Sequence, residues 1–163
     1  MSVSLDIIDE SGDWESLADR ARIAEEIVQT SARLCGVDII DGAEVSLMFC
    51  DDARIRELNH DWRNIDKPTN VLSFPAPAQG GLRLMLGDIA IAFETVQREA
   101  ADEGKSIADH TAHLIAHGFL HLVGFDHVEE QDALVMENKE REILAAHGIA
   151  DPYSADSPAH ISP

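Results

Sequence analysis

The sequence predicts a single α/β domain, with a roughly four-stranded mixed sheet and helices packed on its faces. Four short segments alternate apolar and polar residues with the two-residue period of strands. Longer segments between them place apolar residues at helical spacing. The chain has 163 residues, 45% of them hydrophobic, which is enough to form one core. We therefore expect residues 1–148 to form this domain and residues 149–163, which hold three prolines, to be a disordered tail.

Each predicted element has a local signal in the sequence. Alternating apolar residues predict the strands, and the loop at 75–81, rich in proline and glycine, can close a hairpin that makes one strand antiparallel. Asp13 is a candidate N-cap for the first helix, Asp51 or Asp52 for the second, and Ser106 with Asp109 resembles a capping box. The predicted strands are 3–9, 44–50, 70–74 and 84–93, and the predicted helices are 14–34, 52–62, 94–103, 106–122 and 129–147.

The net charge of −19 argues against general nucleic-acid binding, because contacts to phosphates need lysine and arginine. The charge is unevenly distributed, however. Residues 54–98 hold six of the twelve basic side chains and only five acidic ones, whereas both flanks are strongly acidic. We therefore expect an anionic substrate to meet the protein in this middle third.

The cellular location is predicted from the cysteines, and from the fact that no leader or long apolar segment is evident. The two cysteines, Cys35 and Cys50, lie far apart with no paired spacing, which favours buried free thiols in a reducing cytosol. No basic-then-apolar leader is evident at residues 1–6, and no apolar run reaches about 18 residues. We expect a cytoplasmic location and no contact with a membrane.

A metal site is predicted by three histidines and one glycine in a short segment. His117 and His121 are four residues apart, so on a helix they share one face and can bind the same ion. Gly124 can end that helix in a left-handed conformation, and the chain can then turn back to bring His127 to the ion. Three imidazoles with an open fourth position are typical of a catalytic zinc site. The alternatives are a buried helix with satisfied histidines, or a ligand set that uses His113, whose neighbour His110 lies on nearly the same face.

The metal site alone does not identify a reaction. The histidine spacing with its glycine is also that of the metzincin proteases, which place a glutamate next to the first histidine as general base. This chain has Gly118 at that position. Peptide hydrolysis would therefore lack its proton acceptor, and a metalloprotease is the less favoured interpretation.

A second segment, Leu58–Pro75, is polar, cationic and placed just before a strand. Arg63 and Lys67 offer charge suited to phosphate, and Arg63 adds a forked pair of donors. Neutral donors follow at Thr69, Asn70 and Ser73, although a surface loop with ordinary caps would have the same composition.

Three segments together resemble the YbeY family, the bacterial and organellar endoribonucleases tied to ribosomal RNA maturation. They are Asp66–Pro75, Leu86–Ile89 and His117–His127, and the similarity covers residues 45 to about 145. The resemblance implies one divalent ion, usually zinc, on His117, His121 and His127, and Arg63 as the cationic residue of the cleft. The family's usual tyrosine before Asp126 is Phe125 here, which removes a hydroxyl.

The resemblance implies a metal-dependent single-strand endoribonuclease that acts in ribosomal RNA maturation and ribosome quality control. Its substrate would be precursor ribosomal RNA, with the ribosome or a ribosomal protein as a further partner. In this hypothesis Arg63 and His117 are catalytic, Arg63 stabilises charge on the phosphoryl oxygens, and Arg63, Lys67 and Ser73 contact the substrate. Asp126 either orients a ligand imidazole or caps its own turn. A zinc protease and a non-catalytic ribosome assembly factor are the alternatives.

Overall fold

The computed structural model describes residues 2–77 and 84–153. Four strands and five α-helices make one α/β domain, as the sequence predicts. The strands are β1 (Val3–Asp9), β2 (Ala43–Cys50), β3 (Val71–Pro75) and β4 (Met85–Ala92). The helices are α1 (Arg20–Leu34), α2 (Asp52–Arg63), α3 (Phe93–Glu103), α4 (Ile107–Leu122) and α5 (Glu130–Ala145). None of the described helices is long and apolar enough to cross a bilayer.

The sheet is mixed, with strand order β1-β2-β4-β3. The first three of these strands run parallel, and β3 runs antiparallel to β4 at one edge. This confirms the predicted hairpin between β3 and β4, although residues 78–83 of its loop lie outside the described residues. The hairpin matters for function because it places β3 at the sheet edge, beside α4.

Both faces of the sheet are covered. Alternate residues of β2 point to opposite sides, with Leu47 and Phe49 in the larger core and Met48 and Cys50 in a smaller one. The larger core contains buried residues of α1, α4 and α5, whereas the smaller one is closed by α2 through Ile55. The metal-site helix α4 therefore packs on the face opposite to α2.

Helix α4 is buried along almost its whole length. Its N-terminus is capped as predicted, because the Asp109 backbone N–H donates to the Ser106 hydroxyl over 3.0 Å. The apolar side chains on its inner face, such as Leu114, Ile115 and Phe119, are fully buried in the larger core. Such packing makes α4 a rigid support for the histidines that it carries.

The predicted first helix at 14–34 is wrong at its start. Residues Trp14–Ser16 form a short 3-10 turn instead, and Asp13 makes no side-chain cap. The Trp14 indole turns into the core, where its ring centroid lies 4.7 Å from that of Phe49 and its Nε1–H donates to the Cys50 carbonyl over 2.8 Å. Burying this indole with its donor satisfied fixes the chain here, and α1 begins only at Arg20.

The predicted tail is ordered over its first residues. The Tyr153 hydroxyl donates to the Glu140 carboxylate over 2.7 Å, and the Asp151 carboxylate pairs with Arg141 at 3.0 Å. Residues 149–153 therefore belong to the domain, because an aromatic ring and two polar contacts tie them to α5. The rest of the predicted tail, residues 154–163, lies outside the described residues.

Candidate metal centre and its surroundings

The three predicted ligands lie together at the end of α4. His117 and His121 occupy successive turns, with ring centroids 4.6 Å apart. Gly124 has a φ of 107°, a conformation that side chains disfavour, and there the chain turns back after the helix. This turn brings the ring of His127 within 5.2 Å of His117 and 5.4 Å of His121. The geometry agrees with the predicted ligand set.

The donor atoms fit a divalent metal ion. Each histidine offers one ring nitrogen, and these nitrogens lie within 4.8 Å of one another. The Nε2 atoms of His117 and His121 are 3.1 Å apart, close to the roughly 3.3 Å expected between two nitrogen ligands of a tetrahedral zinc. The Nε2 atom of His127 is buried and has no hydrogen-bond partner among the described residues. A bound ion would satisfy this nitrogen.

The electrostatics of the site favour neutral imidazoles, which are the form that binds metal. Burial, with a smaller contribution from the neighbouring His117 and His127, lowers the pKa of His121 to about 4. Burial likewise lowers the pKa of His127. Both rings therefore have their lone pairs available at neutral pH.

The alternative ligands, His110 and His113, have other partners. His113 Nε2 is hydrogen-bonded to the Glu140 carboxylate, and His110 Nε2 lies 2.8 Å from a Glu99 oxygen. His110, Glu99 and Glu103 do form a second cluster of metal-binding residue types. Its carboxylates already have partners, since Glu103 forms an ion pair with Lys105 at 3.0 Å and Asn70 donates to Glu99 over 3.0 Å. The centre at His117 is therefore the better metal site.

Glu140 of α5 lies beside His117, the first predicted ligand, and sequence reasoning missed this contact. Its Oε2 atom lies 3.3 Å from Nδ1 of His117, and its Oε1 atom accepts from His113 and Tyr153. A proton on Nδ1 of His117, held by this carboxylate, leaves Nε2 free to face the metal. Burial alone would raise the pKa of Glu140, but the hydrogen bonds from His113 and His117 outweigh it and lower the pKa. Glu140 is therefore an ionised carboxylate in the protein interior.

The two roles considered for Asp126 can now be separated. Its Oδ1 atom accepts from the Val128 backbone N–H over 3.3 Å, the pattern of an aspartate that caps its own turn. The carboxylate at hydrogen-bonding distance from His117 is that of Glu140 instead. The sequence did hold a signal for this, because Glu140 falls on the apolar stripe of Met136, Ile143 and Leu144. An acidic residue on such a stripe needs a buried partner.

We expect Glu140→Gln to weaken zinc binding about 10- to 100-fold, as is typical when the partner of a ligand histidine is changed. The glutamine amide is neutral, so it cannot offer His113, His117 and Tyr153 a charged acceptor. His117 therefore loses the partner that fixes its tautomer. Competition with a chromophoric chelator measures the affinity. Glu142→Gln is the matched control, because Glu142 lies on the same helix at the surface and pairs with Lys139 at 3.3 Å. Equal affinities in the two variants would contradict this role.

A pH titration of the metal-free proteins gives a second measurement of the same residue. A carboxylate whose pKa is lowered on folding stabilises the protein above its unfolded pKa, and this stability is lost as the pH falls. The ordinary carboxyl value is 4.5. The free energy of unfolding of the wild type should therefore fall more steeply below about pH 4.5 than that of Glu140→Gln.

Gly118 faces the sheet rather than the metal centre. A Cβ atom at this position would lie 3.0 Å from Ile89 Cγ2 and 3.2 Å from the Ser73 hydroxyl oxygen. That hydroxyl donates to the Gly118 carbonyl over 3.1 Å, so β3 and α4 are in close contact here. The glutamate of the metzincin proteases has no room at this position.

We expect Gly118→Glu to lower the free energy of unfolding by about 3 kcal/mol or more, because a carboxylate would be buried without a partner beside an isoleucine. Urea denaturation measures this loss. Gly118→Ala is the control, because it adds the Cβ atom without the carboxylate. The higher helix propensity of alanine should offset part of the destabilisation caused by the close Cβ contact. A stable Gly118→Glu variant would show that this side of α4 is open.

The predicted substrate residues differ in what they contact. Arg63 is half-buried in the last turn of α2, and its Nη2 atom donates to the Ser73 carbonyl over 3.2 Å. Ser73 is buried, with its hydroxyl proton committed to the Gly118 carbonyl. The Lys67 side chain is exposed, whereas its carbonyl accepts from Asn59 over 2.9 Å. Arg63 is thus tied, through Ser73, to the helix segment that carries His117.

Known proteins are similar to this chain over most of its length. The family model described as Endoribonuclease YbeY matches residues 8–148. An Endoribonuclease YbeY of Methylocella silvestris is 50% identical over 153 residues, which cover 94% of this chain and 87% of that protein. One from Nitrobacter hamburgensis is 51% identical over 147 residues, covering 86% and 77% of the two chains.

A solved structure supports the fold. The solution structure of TM1509 from Thermotoga maritima superposes with a TM-score of 0.54 at 22% identity, covering 93% of this chain and 97% of that one. The family match, these identities and the histidine centre on α4 lead to one assignment. The chain belongs to the YbeY family of endoribonucleases.

Proposed function

We propose that this protein is a metal-dependent endoribonuclease that cleaves single-stranded RNA. The observation that carries the proposal is the cluster of three imidazoles. Arg63 is linked to the same helix, because its guanidinium donates to Ser73 and the Ser73 hydroxyl donates to Gly118, the residue after His117. Membership of the YbeY family supports the same reaction, since the curated relatives are named endoribonucleases. We further propose that the substrate is precursor ribosomal RNA.

His117, His121 and His127 would hold the ion, and zinc is the metal that three histidines favour. A bound ion supplies Lewis-acid polarisation of a phosphoryl oxygen. The residues of the chain position the reaction around it. Glu140 holds the proton on Nδ1 of His117, so that this imidazole stays oriented. The Arg63 guanidinium stabilises the charge that develops on the phosphoryl oxygens. Lys67, whose side chain is exposed, is the further substrate contact of the proposal. A contact through Ser73 would require its buried hydroxyl to leave the Gly118 carbonyl, so we propose that Ser73 supports Arg63 instead.

The strong negative charge of the chain supports the proposal that a ribosomal partner brings the RNA to the site. A net charge of −19 leaves little general attraction to free RNA. A ribosomal surface or protein would hold the RNA near the site instead, which makes ribosome-bound precursor the natural substrate. A cytoplasmic location is part of the same proposal, and two buried cysteines without a disulfide are compatible with a reducing compartment.

Cleavage of end-labelled single-stranded RNA by metal-quantified protein tests this function. The same sequence in duplex form, and as DNA, are the matched substrates. We expect cleavage of single-stranded RNA alone, with no cleavage after chelation and recovery on adding zinc. The product ends identify the nucleophile: attack by the 2′-hydroxyl of the RNA leaves a 2′,3′-cyclic phosphate, whereas attack by water leaves a 5′-phosphate or 3′-phosphate.

Two results would redirect the assignment. If fully metallated protein fails to cut naked RNA but trims precursor in isolated ribosomes, then the partner is required for activity. If it cuts neither substrate, the non-catalytic assembly factor becomes the better proposal. A protease is disfavoured by the closed surface beside Gly118, and a labelled protein substrate would test it directly.

A further inference from the structure

Trp62 is an exposed tryptophan directly beside Arg63. It lies in the last turn of α2, and 72% of its surface is accessible to solvent. The only other tryptophan of the sequence, Trp14, is 2% exposed. An indole is large and apolar, so leaving its face in water has a cost unless another molecule covers it.

Phe74 of β3 supports the Trp62 ring. The Trp62 ring centroid lies 6.1 Å from that of Phe74 on β3, with the two planes tilted by 57°. Phe74 is itself half-buried and packs against the core cluster beneath α2. The helix ends just beyond, at Asn64, which has a φ of 59° and donates its backbone N–H to His60 over 3.0 Å. Trp62 is therefore a supported ring with a large open surface.

Trp62 and Arg63 make adjacent contacts along β3. Trp62 packs on Phe74, and the next residue, Arg63, donates to the carbonyl of Ser73. Consecutive residues of α2 thus contact consecutive residues of β3. Ser73 in turn donates to Gly118, the residue after His117. The exposed indole of Trp62 is therefore next in sequence to Arg63, the residue proposed to contact the phosphate.

We infer that Trp62 stacks on an unpaired base of the RNA, next to the phosphate that Arg63 contacts. The inference rests on the proposed function and deepens it, because it identifies how the substrate is held. Base stacking on an aromatic ring tolerates any base and requires no positive charge. For a chain with a net charge of −19, such a contact supplies affinity that phosphate contacts cannot.

Stacking also selects the form of the substrate. A base within a duplex has both faces covered by its neighbours, so it cannot present a face to Trp62. A base in a single-stranded segment can. The contact therefore explains a preference for single-stranded RNA without any recognition of sequence.

Tryptophan quenching tests the contact directly. Acrylamide reaches exposed indoles, so it should quench Trp62 and leave the buried Trp14 nearly untouched. A single-stranded 2′-O-methyl RNA oligonucleotide added to the metal-loaded protein should reduce this quenching. An abasic oligonucleotide of the same length carries the phosphates without the bases, and it should give no protection.

Kinetics of two variants give an independent test. We expect Trp62→Leu to raise KM about tenfold with kcat nearly unchanged, because a stacked base is held alike in the ground and transition states. Trp62→Tyr keeps an aromatic face and should stay near the wild type. The dependence of KM on salt should not change in either variant, because no phosphate contact is altered.

Several outcomes would overturn the inference. Equal protection by the two oligonucleotides would mean that phosphates alone shield the indole. If Trp62→Leu cleaves RNA with the KM of the wild type, stacking of a base on Trp62 is excluded. If Trp62→Leu slows the cleavage of ribosome-bound substrate but not of free RNA, Trp62 belongs to a docking surface for a protein instead. If the wild type cleaves no RNA but Trp62 is protected by the base-bearing oligonucleotide alone, the stacking inference stands and the proposed nuclease does not.

Discussion

Replacing His121 with alanine is expected to abolish metal binding at working concentrations and RNA cleavage with it. A four-ligand zinc site binds with roughly 10–16 kcal/mol, on the order of 3 kcal/mol per ligand. Losing one of three histidines should therefore weaken the affinity about 100-fold or more. His121 is the best position for this test, because His117 also bonds to buried Glu140 and its loss would disturb the interior.

Metal content after dialysis and single-turnover cleavage of labelled RNA are the two measurements. His60→Ala is the matched control, since His60 is an exposed histidine on α2 whose Nδ1 atom lies 3.3 Å from a carboxylate oxygen of the neighbouring Asp61. Far-ultraviolet circular dichroism shows whether each variant is folded. A folded His121→Ala protein that retains one ion per chain would contradict the ligand assignment. A metal-free variant that still cleaves RNA would show that the ion does not serve the reaction.

The cluster of three histidines was predictable because it is almost entirely local. His117, Gly124 and His127 lie in one short segment, and helix geometry with one turn determines how they approach each other. No contact between distant parts of the chain is needed to propose that set. The packing of α4 on the sheet only makes it rigid.

Glu140 was not predictable in the same way. It lies 23 residues from His117 and meets it only because α5 packs beside α4. The sequence shows an acidic residue on an apolar stripe, which indicates a buried partner but does not identify it. The contact between Ser73 and Gly118 spans 45 residues, and it likewise depends on the way that β3 lies against α4.

The elements of the fold show the same division. Strand positions were predicted to within one or two residues, because alternation is a property of the local sequence. The start of the first helix was not, because the burial of Trp14 against Phe49 overrides the local helical pattern. Tyr153 was assigned to a disordered tail for a related reason. Its partner, Glu140, gives no sign in the sequence that an aromatic ring will reach it.

Arg63→Ala is expected to lower the rate of RNA cleavage about 100- to 1000-fold while metal content stays unchanged. This is the usual loss when a donor that stabilises transition-state charge is removed. The guanidinium donates to a carbonyl of β3, whereas the three histidines lie on α4 and in the turn that follows it. The metal centre should therefore persist in the variant. Arg63→Lys should recover only part of the rate, because an ammonium group lacks the planar fork of donors.

Arg56→Ala is the matched control for this experiment. Arg56 lies on the same helix, two turns before Arg63, and pairs with Asp66 at 2.8 Å on the surface. Its removal changes the net charge equally but leaves the contact between Arg63 and Ser73 in place, so the kcat of Arg56→Ala should stay near that of the wild type.

The separation of kcat and KM decides the role of Arg63. If Arg63→Ala raises KM alone, the arginine binds the RNA equally in the ground and transition states. If kcat falls and KM does not change, the arginine acts on the charge that forms during cleavage, whereas a wild-type rate would exclude Arg63 from the reaction.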